Sequence, residues 1–576
     1  MRSMSLLVKN AQVFNVYLKR FRPASVWISG DRFHYIDPAQ DLSAGAAEIL
    51  DAGGRYMIPG LIDIHMHIES SMLSPMAYSR CAAKNGVTTI VSEPHEVANV
   101  KGLRGVEAMI AGGEASPIDM YFGIPSSVPS TCEALETTGG AIRMEEMKRL
   151  LENPRVVCVG EIMNYRQIIR ENSLEITKFL RYLAQARPGF AVEGHCPSLV
   201  DRELAEFLYL GIDADHTEHT LEEFRQRIEN GMFMELQAKM LLPEILQYIK
   251  DEKVFSRCGF VTDDTMADRL VSEGGVNAVA AKAVTAGFPL EEAICCATLN
   301  NAQRMRLYDR GAIAPGQLAD FILLSDPASF RPEMVFKGGR RIYDAAAPQA
   351  PAAARTSPFP EDFYRTVQVA PVSAETFRLP APEGTSRVEA RAIEVSPAVT
   401  QTKERRVVLP VWDGCIDWRS GDCALAAVLE RHGKSGAISF GLVAGCGLHS
   451  GAVATTYFHD HHNLFVLGRN PADMAAAVNR LRSLQGGILT VLDGEVTAQL
   501  PLPVCGLLSE ASAEQVGADL HAVRENLHAM GYTHRAPIMS LCTLGLPVSP
   551  ALKLTDKGLV DVRAGQLVEL ITAAGP

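Results

Sequence analysis

The sequence predicts an α/β protein: a TIM (β/α)8-type barrel, a small β-sandwich domain built from both flanks of that barrel, and a C-terminal α+β domain. Three observations predict it. Strand-like apolar runs alternate with amphipathic helical segments from about Pro59 to Met305. Short strands separated by turns lie on either side of that region. Residues able to bind metal stand at the ends of the apolar runs, where a barrel of this kind keeps its chemistry.

The elements follow in chain order. Leu6-Leu7-Val8, Ala11 to Phe14, Ser25 to Ile28 and Phe33 to Ile36 read as strands, with Ser29-Gly30-Asp31 as a turn. Pro59-Gly60 blocks a helix start, and Leu61, Ile62 and Ile64 suit a buried strand. Val87 to Val91, Val156 to Gly160 and Phe260 to Thr262 are strand-like, whereas Asp201 to Leu210 and Leu221 to Ile228 carry the helical period. Beyond the barrel, Gly311 to Leu324 and Met334 to Gly339 return to strand and turn. They complete the first layer, so residues 1–57 and 308–345 form the sandwich and 58–307 the barrel. An Ala- and Pro-rich linker, 346–364, leads to the C-terminal domain, 365–576. Its strands are Val407 to Pro410, Ala437 to Val443 and Leu464 to Leu467, with a helix from Asp473 to Leu484.

Composition narrows the class. At 576 residues the chain exceeds one core, and 47% apolar with 21% charged residues is ordinary for a globular protein. A net charge of −12 without a basic stripe argues against nucleic acid as a partner. No apolar run is long enough for a bilayer, and no signal-peptide core is evident at Met1 to Asn10, so a cytoplasmic protein is expected. The 12 cysteines lack paired spacing and read as reduced, buried thiols. The expected partners are a small-molecule substrate and a second copy in a homodimer, with neither nucleic acid nor membrane.

His65 and His67 are one residue apart at the end of a strand, so both imidazoles face one site. Alone, such a pair arises by chance. Further strand ends add Glu161, His195, His216 and the pair Asp263-Asp264. Each has a bland reading: Glu161 as a loop carboxylate, His195 or His216 as a bonded core histidine, the aspartates as caps for a helix near Met266. Five such positions in order, each after an apolar run, point instead to a metal centre.

Pro59-Gly60-Leu61-Ile62-Asp63-Ile64-His65-Met66-His67 resembles the opening signature of the amidohydrolase superfamily. Ile68 to Met72, Glu93 to Val100 and Gly160 to Asn164 resemble the adenine deaminase family in particular. So do Gly441 to Gly445, His459 to Asn463 and Leu552 to Val562. The resemblance implies two divalent ions (manganese, iron or zinc). His65 and His67 would hold one and His195 and His216 the other, with Glu161 bridging and Asp263 both ligating the first ion and handling protons. It implies hydrolytic deamination of adenine to hypoxanthine and ammonia. The ring then needs an acid, Glu69 in preference to Glu96 because it lies just beyond His67, unless Glu69 instead orients a ligand histidine. Glu69, His95 and Asp264 stand at the substrate, and His95 and Glu96 otherwise hold a further ion or brace their loop. Rival readings are an amidohydrolase acting on another purine or cyclic amide, and a non-catalytic metal-binding relative. The zinc deaminases that need Pro-Cys-x-x-Cys are excluded, because that motif is absent.

The chain departs from the family pattern at Thr217, where a glutamate follows the histidine, and at Gln237-Ala238-Lys239-Met240, where Arg-Glu-Gly-Ser stands. Both departures bear on the substrate more than on the metal. His459, Asp460 and His462 either reach the pocket or form a cluster inside their own domain, and the second reading is preferred.

Overall fold

A computed structural model describes residues 4–38, 46–171, 174–347, 357–445 and 447–575. Residues 348–356 of the expected linker lie outside the described residues; its final turn, Glu361–Tyr364, is helical. Eight strands from both flanks of the barrel pair into one sheet, in which Phe321–Leu324 joins Tyr56–Pro59 and Tyr56–Pro59 joins Met4–Asn15. Met4–Asn15 is a single strand where two were expected. A bulge between Val8 and Ala11 lets the chain cross Lys9-Asn10 without leaving the sheet. Phe33, Phe321 and Phe336 centre an apolar cluster on one face of this sheet.

The barrel has eight short parallel strands: β1 (Leu61–Met66), β2 (Val87–Ser92), β3 (Asp119–Ile124), β4 (Val156–Ile162), β5 (Ala191–Gly194), β6 (Ala214–Asp215), β7 (Phe233–Leu236) and β8 (Cys258–Phe260). β1 to β5 pair in order, and β6 to β8 pair in order. The two seams close by other means. Asp213 N–H donates to Val192 O between β5 and β6, and Asp263 N–H donates to His65 O beyond β8. Helix Leu299–Arg304 seals both seams from below. Asn301 Nδ2 donates to Ile62 O of β1 (2.7 Å) and Phe260 O of β8 (2.8 Å). Arg304 pairs with Glu193 of β5 (2.8 Å) and Asp213 before β6 (2.7 Å). Open carbonyls at a break in the barrel would be costly in an apolar interior; Asn301 satisfies two of them, and Arg304 Nη2 donates to a third, Val192 O of β5 (3.3 Å).

The C-terminal domain is built on a ten-stranded, mostly antiparallel sheet with helices Pro471–Leu484 and Ala513–Ala529, plus a three-stranded sheet beginning at Leu552–Thr555. It docks on the mouth of the barrel through buried polar contacts. Thr137, in the loop after β3, donates its N–H and its hydroxyl to the two oxygens of Asp556 (2.8 and 2.6 Å). Asn463 Nδ2 donates to Thr137 O (2.9 Å), and Ser509 exchanges backbone bonds with Met72 and Ser74 after β1. Among the described residues, no helix is long and apolar enough to cross a membrane.

Candidate metal centre and active site

The strand ends bring the six expected ligands together. His65 lies on β1 and His67 one residue beyond it, with ring centroids 5.4 Å apart. Glu161, on β4, turns one oxygen to each side. Its Oε1 is 3.5 Å from His67 Nε2, and its Oε2 is 2.7 Å from His195 Nδ1 and 3.2 Å from His216 Nε2. Asp263 Oδ1 is 3.4 Å from His67 Nε2 and 3.9 Å from His65 Nε2. Asp263 takes a left-handed backbone (φ 57°), an uncommon conformation for a residue other than glycine that aims its carboxylate back at β1. The helix that Asp263 and Asp264 were given as a possible task to cap begins at Ala267, with neither aspartate capping it.

The donor set fits a divalent cation. His67 Nδ1 is 3.1 Å from the carbonyl oxygen of Glu93, which can only accept, so Nδ1 carries the hydrogen and Nε2 is the nitrogen that His67 turns to the site. His65 Nε2 and His216 Nδ1 are buried with no hydrogen-bond partner. The ligand atoms of His65, His216 and Asp263, and those of Glu161, His195 and His216, each lie within 4.8 Å of one another. Nitrogen and oxygen donors without thiolate suit manganese, iron or zinc. Burial would raise the Glu161 carboxyl, but the adjoining His195 and His216 hold it well below the usual range. Gly160 makes room at this point. A Cβ there would come within 2.3 Å of the Glu93 side chain, whose carboxylate accepts the Glu161 N–H (3.0 Å).

The remaining expected residues ring this centre. Glu69 is fully buried. Its Oε1 accepts Val97 N–H (3.4 Å), its Oε2 has no partner, and burial pushes its pKa up to about 7. His95 stacks edge-on to His67 (4.8 Å) between Glu93 (3.7 Å) and Glu96 (3.6 Å). Burial opposes its charge, yet Glu96 and Glu93 raise its pKa to about 10. Asp264 accepts from the Ser70 hydroxyl. Glu96 is not free: His459 Nδ1 is 2.7 Å from one oxygen, and His462 Nε2 bonds the other. The preferred reading of His459 and His462 as a cluster internal to their domain is therefore corrected. They cross to the barrel because the buried Glu96 carboxylate needs donors that its own domain does not supply.

Four carboxylates and amides were not singled out as site residues. Glu93 braces His95 and receives Glu161 N–H. Glu193 and Glu235 lie beneath His65, whose Nδ1 is 3.5 Å from Glu235. Glu193, on β5, precedes His195, one residue past the strand, by two residues, a period-2 signal present in the sequence. Gln237, noted only as a departure, donates Nε2 to Asp263 Oδ2 (2.7 Å) and His216 O (2.9 Å). Thr217, the other departure, donates its N–H (3.1 Å) and hydroxyl (2.9 Å) to Asp215 Oδ1.

The barrel and its metal-type ligands define a metal-dependent hydrolase, and residues 56–342 match the amidohydrolase family. Residues 399–566 match the adenine deaminase C-terminal domain. The chain is 45% identical to adenine deaminase 2 of Shouchella clausii over 98% of each chain. It is 40% identical to an adenine deaminase of Clostridium perfringens, over 98% of this chain and 99% of the relative. It is also 40% identical to adenine deaminase 2 of Oenococcus oeni over 99% of both. The chain belongs to the adenine deaminase family.

Proposed function

We propose that the protein hydrolyses adenine to hypoxanthine and ammonia at a binuclear centre held by His65, His67, Asp263, His195, His216 and Glu161. The observation that carries the reading is Glu161, with one oxygen toward His67 and the other toward His195 and His216, between two sets of donors. Relatives named adenine deaminase that match the full length support adenine as the substrate. When bound, divalent cations supply Lewis acidity that brings the pKa of water near neutrality. The protein's own groups do the rest. Asp263, held by the Gln237 amide, accepts the proton of the water that adds to C6 of adenine and passes it toward the departing amino group. Glu69, whose pKa burial lifts to about 7 so that a share of it stays protonated at neutral pH, has a free oxygen and donates to the ring nitrogen. Glu96 is the weaker acid for that step, because two histidines already bond its carboxylate and hold it ionised.

The test is turnover by purified, manganese-loaded protein, with ammonia and hypoxanthine measured against time. Asp263→Asn is expected to fold and to lose about 10²- to 10⁴-fold in kcat. A wild type inert toward adenine but active on another purine or cyclic amide would overturn the substrate assignment. Near-normal turnover by Asp263→Asn would remove its proton-handling role.

A further inference from the structure

Glu96, His459 and His462 have the spacing of a metal site, with ligand atoms within 4.8 Å. Hydrogen-bond direction argues otherwise. Phe458 N–H donates to His462 Nδ1 (3.2 Å), so that nitrogen is unprotonated and Nε2 carries the hydrogen. That hydrogen is directed at Glu96. A ring in this tautomer has no lone pair to offer a cation on the Glu96 side. The cluster is instead a relay of donors: His462 bonds one oxygen of Glu96 and His459 Nδ1 bonds the other at 2.7 Å, with Asp460 Oδ1 also 3.4 Å from His459 Nδ1.

This arrangement fixes His459 at one end of its ring and leaves the other end without a partner. His459 Nε2 is buried and has no hydrogen-bond partner. The ring lies against Tyr457 (centroids 4.8 Å apart), whose hydroxyl is 3.4 Å from Ser70 Oγ, and Ser70 in turn bonds Asp264. Glu96 and Asp264 follow β2 and β8, on the same barrel mouth as the metal ligands. Burial opposes protonation of His459, but Glu96 and Asp460 hold it well above the ordinary histidine range, so Nε2 carries a proton. A buried charged donor without an acceptor is costly, and the fold retains it beside the catalytic groups.

We propose that His459, from the C-terminal domain, contacts the substrate, donating from Nε2 to an acceptor nitrogen of the bound purine, with Glu96 and His462 as positioning residues that orient its ring. The proposal rests on the adenine reading above. Its product is binding rather than chemistry, so the effect falls on KM and on competitive inhibition.

The experiment compares wild type, His459→Asn and Glu96→Gln as metal-loaded holoenzymes, with adenine as substrate and 1-, 3- and 7-deazaadenine as competitive inhibitors. Each analogue lacks one ring acceptor. His459→Asn is expected to raise KM for adenine by about 10- to 100-fold, the worth of one charged hydrogen bond, with metal content unchanged. Its penalty on inhibition should vanish for the one deaza analogue that lacks the acceptor His459 meets. Glu96→Gln should show the same pattern at smaller amplitude. An equal penalty on all three analogues, or an unchanged KM, would overturn the proposal. A wild type inactive on adenine removes the reading underneath, and the proposal falls with it. An active wild type with an indifferent variant refutes this inference alone.

Discussion

Arg227 offers a stability test that reaches two of the candidate metal ligands, His195 and His216. Its side chain and that of Asp215 are both completely buried, joined by Nε to Oδ2 at 2.7 Å. Its remaining nitrogens donate to Leu199 O (3.2 Å), Glu223 O (3.1 Å) and Cys196 O. Cys196 directly follows His195 and Asp215 directly precedes His216, so one guanidinium ties down the backbone beside both histidines. Arg227→Met keeps the bulk and removes the charge. Asp215 retains Thr217, Cys196 and His219 as donors, but the uncompensated buried carboxylate should still cost about 3–5 kcal/mol. Loosening the residues that orient two ligands should weaken metal binding by about 10- to 100-fold. The assay is urea denaturation of the metal-free protein, comparing midpoints at constant slope, with metal titration measured separately. The double variant Arg227→Met/Asp215→Leu removes both charges and should be less destabilised than the sum of the two single variants. A single-variant cost under about 1 kcal/mol, or strict additivity in the double variant, would refute the account.

Two further outcomes are expected. Lys553 is completely buried, with Thr400 O at 3.5 Å as its contact, and burial lowers its pKa to about 7. Because the unfolded chain binds this proton more tightly, stability should rise with pH between about 7 and 10.5. Lys553→Met should therefore stabilise by up to roughly 5 kcal/mol at pH 7 and below, and by progressively less toward pH 10. A melting-temperature difference between variant and wild type that does not narrow as pH rises would contradict this. Chelation should abolish adenine turnover and lower the melting temperature, and manganese at about 100 times its dissociation constant should restore about 2.7 kcal/mol. An unaltered melting curve on chelation would count against a cation bound at Glu161.

The barrel and its ligands were legible because two local signals coincide there: an apolar run long enough for a strand, and a ligand-type residue where the run stops. β4 ending in Glu161 and β5 running into His195 are such cases. At β8 strand composition and strand length part company. Val261 and Thr262 have strand composition, yet the strand stops at Phe260, since the chain must turn for Asp263 to reach β1. A carboxylate inside an apolar strand, as Glu193 and Glu235 are, has no local reason to be there. Their burial is made possible by Arg304, more than 65 residues away from either in sequence. Gln237 was read as a lost arginine, whereas its gain, a bond to Asp263, depends on a residue across the barrel. For Glu235 and Gln237, pairings over such separations leave no periodicity to read, whereas Glu193 carries the period-2 relation to His195.

The C-terminal domain also has a task at the barrel mouth. Glu96 is completely buried, and within the barrel its near neighbour is His95 at 3.6 Å, itself shared with Glu93. A buried carboxylate with so little compensation would take up a proton and draw charge away from His95. His459 and His462 prevent that, and Asp556 and Asn463 fix their loop by gripping Thr137 on the barrel. The domain therefore sets the charge state of the barrel mouth as well as covering it. A barrel freed of residues 365–576 would keep its six candidate metal ligands but lose the ionised Glu96 and the His459 donor. On this argument metal binding can survive separation of the two parts, whereas adenine binding should weaken by at least the roughly 10- to 100-fold expected for His459→Asn.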